Sequence, residues 1–307
     1  MKMKPLVIIT LTLAFTCIIN SVIAQDSGYT NKDEAKNEYK DSLKEGKWIE
    51  YLNLQMNNTT KDSARYFRLV VYNGGKENGV VRYYRIKDES LEEERPYTDG
   101  KINGTVKGYY PSNKLFLEDP YIDGQRQGEE KTYYENGKIT SETFFSNGFV
   151  DSVKTYFKNG NLKLILYEKK MTNKATAMQN YYEQGGIESE TFYNIDGISA
   201  NRIKKDYYPN GKLKEEAAYT NQSINGIVTK YDTSGIITSQ GSFINGTGIE
   251  RDYNNGKLIA KIYYVNGKKN GIEKGYYENG KLKYKINYIN DVVSGEAKRY
   301  DEEGKLE

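Results

Sequence analysis

The side chains that most often perform catalysis are scarce in this chain of 307 residues. It contains no histidine and a single cysteine, Cys17. Without an imidazole there is no Ser-His-Asp or Cys-His catalysis and no His-ligated zinc. The Asp and Glu residues number 42, but nothing marks out one pair for glycosidase chemistry, and no phosphate loop, CxxC or Ca²⁺ loop is present. We therefore predict a non-enzymatic protein with no catalytic residue, no cofactor and no metal site.

Tyrosine is the residue type whose number and spacing point to a binding function. The chain has 30 tyrosines, many of them in doublets, and strand alternation predicts that the second member of each doublet faces solvent. Tyrosine offers a contact surface of low conformational entropy, with both a ring and a hydroxyl. The alternative is that these rings shield the backbone and lie over lysine stems. The candidate partner-binding residues are Tyr84, Tyr110, Tyr134, Phe157, Tyr182, Tyr208 and Tyr277.

The doublets belong to a unit that recurs about ten times. The first tyrosine of each unit is followed by a turn, then by Leu or Ile, and then by another aromatic residue. After the turn, Leu282, Tyr284, Ile286 and Tyr288 alternate with polar residues, which is the period of a β-strand with one apolar face. The first tyrosines are Tyr83, Tyr109, Tyr133, Tyr156, Tyr181, Tyr207, Tyr231, Tyr253, Tyr276 and Tyr300.

Turn chemistry predicts the register inside each hairpin. The loop 278–280 ends in glycine, as a type I turn followed by a left-handed residue requires. Tyr276 should then face Leu282, and Ile272 should face Ile286, on one side of the sheet. The opposite side should pair Tyr277 with Lys281 and Glu273 with Lys285. In the shorter loop Asn255-Gly256, a two-residue type I′ turn keeps Tyr253 opposite Leu258.

The connection between consecutive hairpins also has a signature, an Asn-Gly or Asp-Gly pair followed by a later glycine, as in Asn266-Gly267 and Gly271. Residues 169–174 lack glycine, so we expect the sheet to break or bulge there. Consecutive hairpins then form an all-β fold, an elongated, twisted antiparallel meander of about 20 strands in which contacts run only between neighbours.

The N-terminus reads as a targeting segment. Residues 1–24 combine Lys2 and Lys4 with an apolar run and small residues before Gln25, which is typical of a secretory signal peptide; an N-terminal membrane anchor is the alternative. Residues 25–45 form a polar leader with a candidate short helix, for which Asn31 and Glu34 could form a capping box and Gly46 a stop. Residues 46–307 form the repeat domain. We expect an exported protein that is periplasmic, associated with the cell envelope or secreted.

The units resemble the bacterial variant of the MORN repeat, with Tyr-Tyr-x-x-Gly-Lys-Leu and Tyr-x-x-Gly-Lys-x-x-x-Gly patterns. The best agreement lies at residues 134–139 and 264–271, and the resemblance extends over about residues 46–307. Proteins of this kind are similar to the YwqK-like antitoxin family of toxin–antitoxin systems. The resemblance implies a binding protein that neutralises a partner toxin, while other MORN proteins act as scaffolds or are proposed to contact membranes.

Two functions follow as expectations. The first is an exported scaffold, antitoxin or immunity-type protein that binds a protein partner across a tyrosine-rich face. The second is an envelope carbohydrate-binding protein, although glycan-binding repeats are rich in tryptophan and this chain has only Trp48. The formal charge of +3 argues against nucleic-acid binding. Membrane contact would use a lysine edge in which acids are interleaved, formed by Lys138, Lys212, Lys257, Lys281 and Lys305.

Overall fold

A computed structural model describes residues 28–169, 174–195 and 200–307. The expected signal peptide, residues 1–24, lies outside them. The described chain consists of β-strands and two short 3-10 turns. All pairing is antiparallel and joins strands that are consecutive in sequence or separated by one short strand of two residues, and together the strands form one open sheet of 26 strands. The predicted all-β hairpin meander is confirmed.

The strands are numbered in chain order. The first half consists of β1 (Glu38–Lys40), β2 (Leu43–Leu52), β3 (Tyr66–Asn73), β4 (Lys76–Arg85), β5 (Leu91–Thr98), β6 (Lys101–Ile102), β7 (Gly104–Tyr109), β8 (Leu115–Ile122), β9 (Gln125–Arg126), β10 (Gly128–Tyr133), β11 (Ile139–Ser146), β12 (Phe149–Tyr156) and β13 (Leu162–Lys169). The second half consists of β14 (Lys174–Tyr181), β15 (Ile187–Ile195), β16 (Ala200–Tyr207), β17 (Leu213–Thr220), β18 (Ser223–Tyr231), β19 (Ile237–Ile244), β20 (Thr247–Asn254), β21 (Lys257–Val265), β22 (Lys268–Lys269), β23 (Gly271–Tyr276), β24 (Leu282–Ile289), β25 (Val292–Val293) and β26 (Lys298–Arg299). The 3-10 turns are Lys32–Glu34 and Lys61–Ser63.

The turns behave as their sequences predict. Tyr276 pairs with Leu282, and the backbone N–H of Tyr277 donates to the carbonyl of Lys281. Gly280 closes the loop at a φ of +81°, a left-handed conformation in which glycine carries no steric cost. In the shorter loop both Asn255 (φ +47°) and Gly256 (φ +75°) are left-handed, as a type I′ turn requires.

Beyond the turn the predicted register is wrong by one residue. Ile272 faces Asn287 and Glu273 faces Ile286, where we had expected Ile272 opposite Ile286 and Glu273 opposite Lys285. The cause is a β-bulge in which Leu282 and Lys283 share one partner position. The bulge leaves the tyrosine–leucine pair intact but exchanges the two faces farther along the strands. As a result the Glu273 side chain is buried and Ile272 is exposed.

The same register shift lies next to the turn in most hairpins. Residues 170–173 lie outside the described part of the chain. On either side of them β13 and β14 remain paired, with a bulge at Tyr167 and Glu168. The two strands that flank this connection are therefore paired and carry a bulge.

Cross-strand partners share a face, so the pairing divides the sheet into two faces. We call face A the face that carries Val106 and Asp119, and face B the face that carries Lys107 and Glu118. Continuing the pairing along the sheet places Glu250 on face A. Face A holds many of the most buried side chains of the repeats, among them Val106, Asp119, Val228 and Phe243.

The N-terminal end of the sheet is packed on both faces. On one face Trp48, Val70 and Val81 form a buried cluster, and on the other Phe67 and Leu69 are covered by Tyr29 from the leader. The Tyr29 hydroxyl donates to the Trp48 carbonyl. The leader therefore acts as an end cap, which repeat folds need because a terminal unit lacks one neighbour.

The leader contains less helix than its sequence predicts. Asn31 does cap a turn, because its side chain accepts a hydrogen bond from the N–H of Asp33. The turn ends at Glu34, and Gly46, the predicted helix stop, lies inside β2. Pairing with β2 satisfies the backbone of β1, so the segment around residues 38–40 forms strand in preference to helix. Within the described ranges no helix is long and apolar enough to cross a membrane.

Candidate binding surfaces

Six of the seven predicted second aromatics lie together as one row at the turn end of the hairpins, and each begins a turn, as Tyr134 does by donating its N–H to Lys138. Tyr84 is the exception, because it lies inside β4 and pairs with Leu91, as Tyr109 pairs with Leu115. The hydroxyls of the five tyrosines in the row are already occupied, because each donates to the backbone carbonyl of the first tyrosine in the next unit. The O···O distances are 2.7 Å for Tyr110 to Tyr133, 3.1 Å for Tyr134 to Tyr156, 2.6 Å for Tyr182 to Tyr207, 2.8 Å for Tyr208 to Tyr231 and 2.7 Å for Tyr277 to Tyr300.

The rings of this row are half-buried, and several lie beneath lysine side chains. The Lys283 ammonium is 5.3 Å from the centre of the Tyr277 ring, and Lys214 is 5.8 Å from that of Tyr208. Phe157, which has no hydroxyl, has Lys163 at 5.8 Å. Tyr84 stacks on Phe67 at a centroid distance of 5.0 Å. The row thus joins consecutive units, and its role in partner binding stays a prediction.

Several first tyrosines form a second regular series on face B, whereas Tyr83 is buried on face A. Tyr133 donates its hydroxyl to Glu118 at 2.6 Å. Burial and this hydrogen bond to a carboxylate raise the pKa of Tyr133 to about 12. The same contact recurs between Tyr109 and Glu94 at 2.8 Å, Tyr156 and Glu142 at 2.6 Å, and Tyr207 and Glu190 at 2.6 Å.

These glutamates belong to a row of cross-strand partners that runs through the middle of face B. In its first part cations and acids alternate. Strand by strand, that part contains Arg82, Glu94, Lys107, Glu118, Lys131, Glu142, Lys154, Ile165, Gln179, Glu190, Lys205 and Glu216. Its five cations and five acids cancel, and neighbours form ion pairs such as Arg82–Glu94 at 2.9 Å and Lys205–Glu216 at 3.4 Å.

The row changes character toward the C-terminus. It passes through Thr229 and Gln240 and then holds five consecutive cations, which we call the basic row: Arg251, Lys261, Lys274, Lys285 and Lys298. The acids of the same strands, Glu250, Asp252 and Glu273, alternate onto face A. The sequence reasoning missed this row, because strand pairing brings together residues that are 10 to 13 positions apart.

An exposed apolar strip flanks this middle row on face B, two residues away on each strand. It is a continuous row of partners from β11 to β17, formed by Phe144, Ser152, Tyr167, Ala177, Phe192, Ile203 and Ala218. The large side chains are 43–46% exposed. Sequence could have indicated one of them, because in the Phe144-Phe145 pair strand alternation buries only one ring.

Face A carries a shallow groove of about 500 Å³ lined by Tyr219, Phe243, Glu250 and Tyr264. Burial would raise the pKa of Glu250, but hydrogen bonds from Lys230 and Ser239 outweigh it and hold the pKa below its ordinary value. Tyr264 also donates to Glu250, at 2.9 Å. The carboxylate is therefore fully engaged within the sheet. Among the described residues no group of three or more potential ligands is placed to hold a metal ion.

Comparison with known proteins identifies the repeat. The family model of the MORN repeat variant matches residues 102–123, 126–147, 203–221 and 269–290. MORN repeats are in general non-catalytic, and they typically serve as protein- or membrane-binding modules. No curated protein matches the chain.

Solved structures offer only distant similarity. The Photorhabdus luminescens Tc holotoxin pore aligns at 9% identity over 79% of this chain, with a TM-score of 0.21, and the chain spans 14% of that structure's length. A porin-like protein from Bacteroides uniformis aligns at 10% identity over 65% of this chain and 94% of its own, with a TM-score of 0.21. TcdB2-TccC3 aligns at 11% identity over 79% of this chain and 15% of its own, with a TM-score of 0.17.

Each of the four matched segments coincides with strands of the sheet, and the same hairpin geometry recurs between the matches. The chain thus contains the MORN repeat variant at four places.

Proposed function

We propose that this chain is an exported, non-enzymatic binding protein that holds a protein partner along face B. The apolar strip from Phe144 to Ala218 is the observation that carries the proposal. Isolated exposed apolar residues are ordinary on protein surfaces, whereas a continuous apolar patch marks an interaction site. Here four large side chains are lined up on neighbouring strands with only small residues between them.

The dimensions and surroundings of the strip suit a protein partner. Seven strands span roughly 29 Å at about 4.8 Å per strand. This length is similar to the width of a typical protein interface, which buries roughly 800 Å² on each side. The alternating cations and anions beside the strip would form its polar rim, since Glu190 and Lys205 are cross-strand neighbours. An apolar centre with a charged margin is the usual anatomy of such interfaces.

In this proposal the predicted row of second aromatics contacts the partner with its rings and not with its hydroxyls. The tyrosine hydroxyls in Tyr134 and Tyr208 bond to the next unit, so any partner would meet the exposed ring edges. Such an elongated surface suits a scaffold, or an antitoxin or immunity-type protein that covers a toxin across several repeats. The second of these is the function that the YwqK-like resemblance implies.

Cell fractionation tests export, and affinity crosslinking tests partner binding. A tagged chain is expressed in its native cells, the envelope and medium fractions are crosslinked, and captured proteins are compared between variants. Phe144→Ala combined with Phe192→Ala should abolish capture of the partner. Leu54→Ala combined with Ile236→Ala removes two side chains outside the strip that are at least as exposed as the two phenylalanines and should leave capture unchanged.

Two results would contradict the proposal. One is capture that survives the double phenylalanine variant at wild-type level while the variant remains folded by circular dichroism. The other is a chain found only in the cytoplasm, which would refute export. Tyr134→Ala combined with Tyr208→Ala tests the aromatic row separately, and unchanged capture would remove that row from the binding surface.

A further inference from the structure

We infer that the basic row on face B binds an acidic polysaccharide laid across the strands. The row is Arg251, Lys261, Lys274, Lys285 and Lys298, one cation on each of five neighbouring strands. It lies toward the C-terminus from the apolar strip and is a second site, independent of the proposed protein partner.

No acidic side chain on the same face neutralises the cations of the basic row. In the described part of the chain none of its five members forms an ion pair, although ion pairs are frequent elsewhere in the sheet. The face-B strand positions of β20 to β26 include no acidic residue, because Glu250, Asp252 and Glu273 all lie on face A. The positive charge on this face is therefore available to a ligand.

Such an arrangement is costly for the free protein. Like charges directly opposite each other on neighbouring strands are destabilising, and the row contains four such contacts in succession. The first part of the same row avoids this cost by alternating Lys with Glu, as at Lys131 and Glu142. An anion bound along the row would remove the repulsion.

The spacing of the cations favours a polysaccharide as the anion. Neighbouring strands set the charges about 4.8 Å apart over roughly 19 Å. An extended polysaccharide with one acid group per sugar has a similar repeat. Compared monomer by monomer in the same way, an extended peptide rises by roughly 3.3 Å per residue, and one strand of duplex DNA places its phosphates at roughly 3.4 Å along the helix axis. A bilayer presents charge over a plane and needs no single file of cations.

Aromatic rings flank the cations and offer a surface on which sugar rings could pack. Tyr263 lies beside Lys261, whose ammonium is 5.0 Å from the ring centre, and Tyr300 lies 5.9 Å from the ammonium of Lys285. A tyrosine ring offers an apolar surface for a sugar's C–H groups and a hydroxyl for hydrogen bonding. The pKa of Tyr263 is lowered by its hydrogen bond with Lys261 and by the positive charge of Lys274 and Arg251.

The test measures binding of the purified full chain to polygalacturonate, a polymer with one carboxylate per sugar. Fully methyl-esterified polygalacturonate, with the same backbone and no charge, is the ligand control. Lys261→Gln combined with Lys274→Gln should weaken binding to polygalacturonate by about tenfold, since central ionic contacts are lost.

A matched variant separates the row from overall charge. Lys131→Gln combined with Lys154→Gln removes the same two charges from the alternating part of the middle row, where Lys131 pairs with Glu129 and Lys154 with Glu142. It should change binding by less than about twofold. The Lys261/Lys274 variant should melt at or above the wild-type temperature, which excludes misfolding as the reason for lost binding.

Several outcomes would overturn the inference. These are equal losses in the two double variants, equal binding of the esterified polymer, and a galacturonate dimer that binds as tightly as a pentamer. Binding to vesicles of phosphatidylglycerol and phosphatidylcholine, or to single-stranded DNA, with none to polygalacturonate would assign the row to a different anion. None of these results bears on capture of a protein partner through Phe144 and Phe192, so the two proposals fail separately.

Discussion

Tyrosine hydroxyls join each repeat of this sheet to the repeat before it and to the repeat after it. The first tyrosine of a unit, such as Tyr133, donates to a glutamate on face B, and the second, such as Tyr134, donates to a carbonyl about one repeat later in the chain. The first contact is charge-assisted and the second satisfies a backbone acceptor. Both directions of the sheet are therefore stabilised by the same residue type.

Phe157 is the natural test of the second contact, because it occupies the tyrosine position without a hydroxyl. Phe157→Tyr should add a hydrogen bond to the carbonyl of Tyr181 and raise the free energy of unfolding by about 0.5–1.5 kcal/mol. Tyr208→Phe removes the bond to Tyr231 and should lower it by a similar amount. Urea denaturation measures both. Opposite signs support the bridging role, whereas two negligible changes would contradict it.

The sequence could identify these tyrosine positions but not their partners. Periodicity placed Tyr134 and Tyr208 in one row, which the structure also shows. The acceptors are backbone carbonyls more than 20 residues away, and backbone atoms carry no residue-specific signal. Exposure alone therefore suggested a binding role for hydroxyls that the next repeat already uses.

At the scale of the strand and turn, local chemistry predicted the hairpins well and the faces poorly. Glycine and asparagine in left-handed conformations fixed the pairing of Tyr276 with Leu282. The bulge one residue later depends on how two strands twist against their neighbours, and no residue type requires it. An alternation of Ile272 and Glu273 fits either face, so the burial of Glu273 followed only from the structure.

The leader is the element whose contribution to stability is easiest to test. Tyr29 is 5% exposed and packs on Phe67 and Leu69, so Tyr29→Ala should lower the free energy of unfolding by about 3 kcal/mol through loss of buried ring surface. Tyr29→Phe, which loses only the hydrogen bond to Trp48, should cost about 1 kcal/mol.

Leu54→Ala is the control for this measurement, because Leu54 is exposed in a loop near the same end of the sheet. It should change the free energy of unfolding by less than about 0.5 kcal/mol. If thermal or urea denaturation gave Tyr29→Ala the same small effect as Leu54→Ala, the leader would not be an end cap.

Across the whole molecule, protection from solvent is greatest at the N-terminal end. Leu69, Val70 and Val81 are fully buried there, because apolar clusters cover both faces of β3 and β4. Toward the C-terminus the sheet is a single layer in which each strand contacts only its neighbours. Stability in such an array is a sum of local terms and need not be uniform.

Hydrogen exchange measured by mass spectrometry should show this gradient. Amides of β3 should exchange most slowly, and those of β23 and β24 should exchange faster because fewer buried contacts oppose local opening. Uniform protection along the sheet, or slowest exchange in the C-terminal repeats, would contradict the gradient. The sequence did not predict this difference, because the repeats look alike and the covering leader reads as a polar segment.

The joint between consecutive repeats has a consequence for how the chain can change length. Tyr110 reaches the carbonyl of Tyr133 in the same way that Tyr208 reaches that of Tyr231, and between Arg82 and Lys154 each unit supplies one lysine and one glutamate to the middle of face B. A gene duplication or deletion of one complete unit in this region would recreate an identical joint and keep the charges matched. A change of half a unit would set like charges side by side, so selection should accept growth or shortening only in whole hairpins.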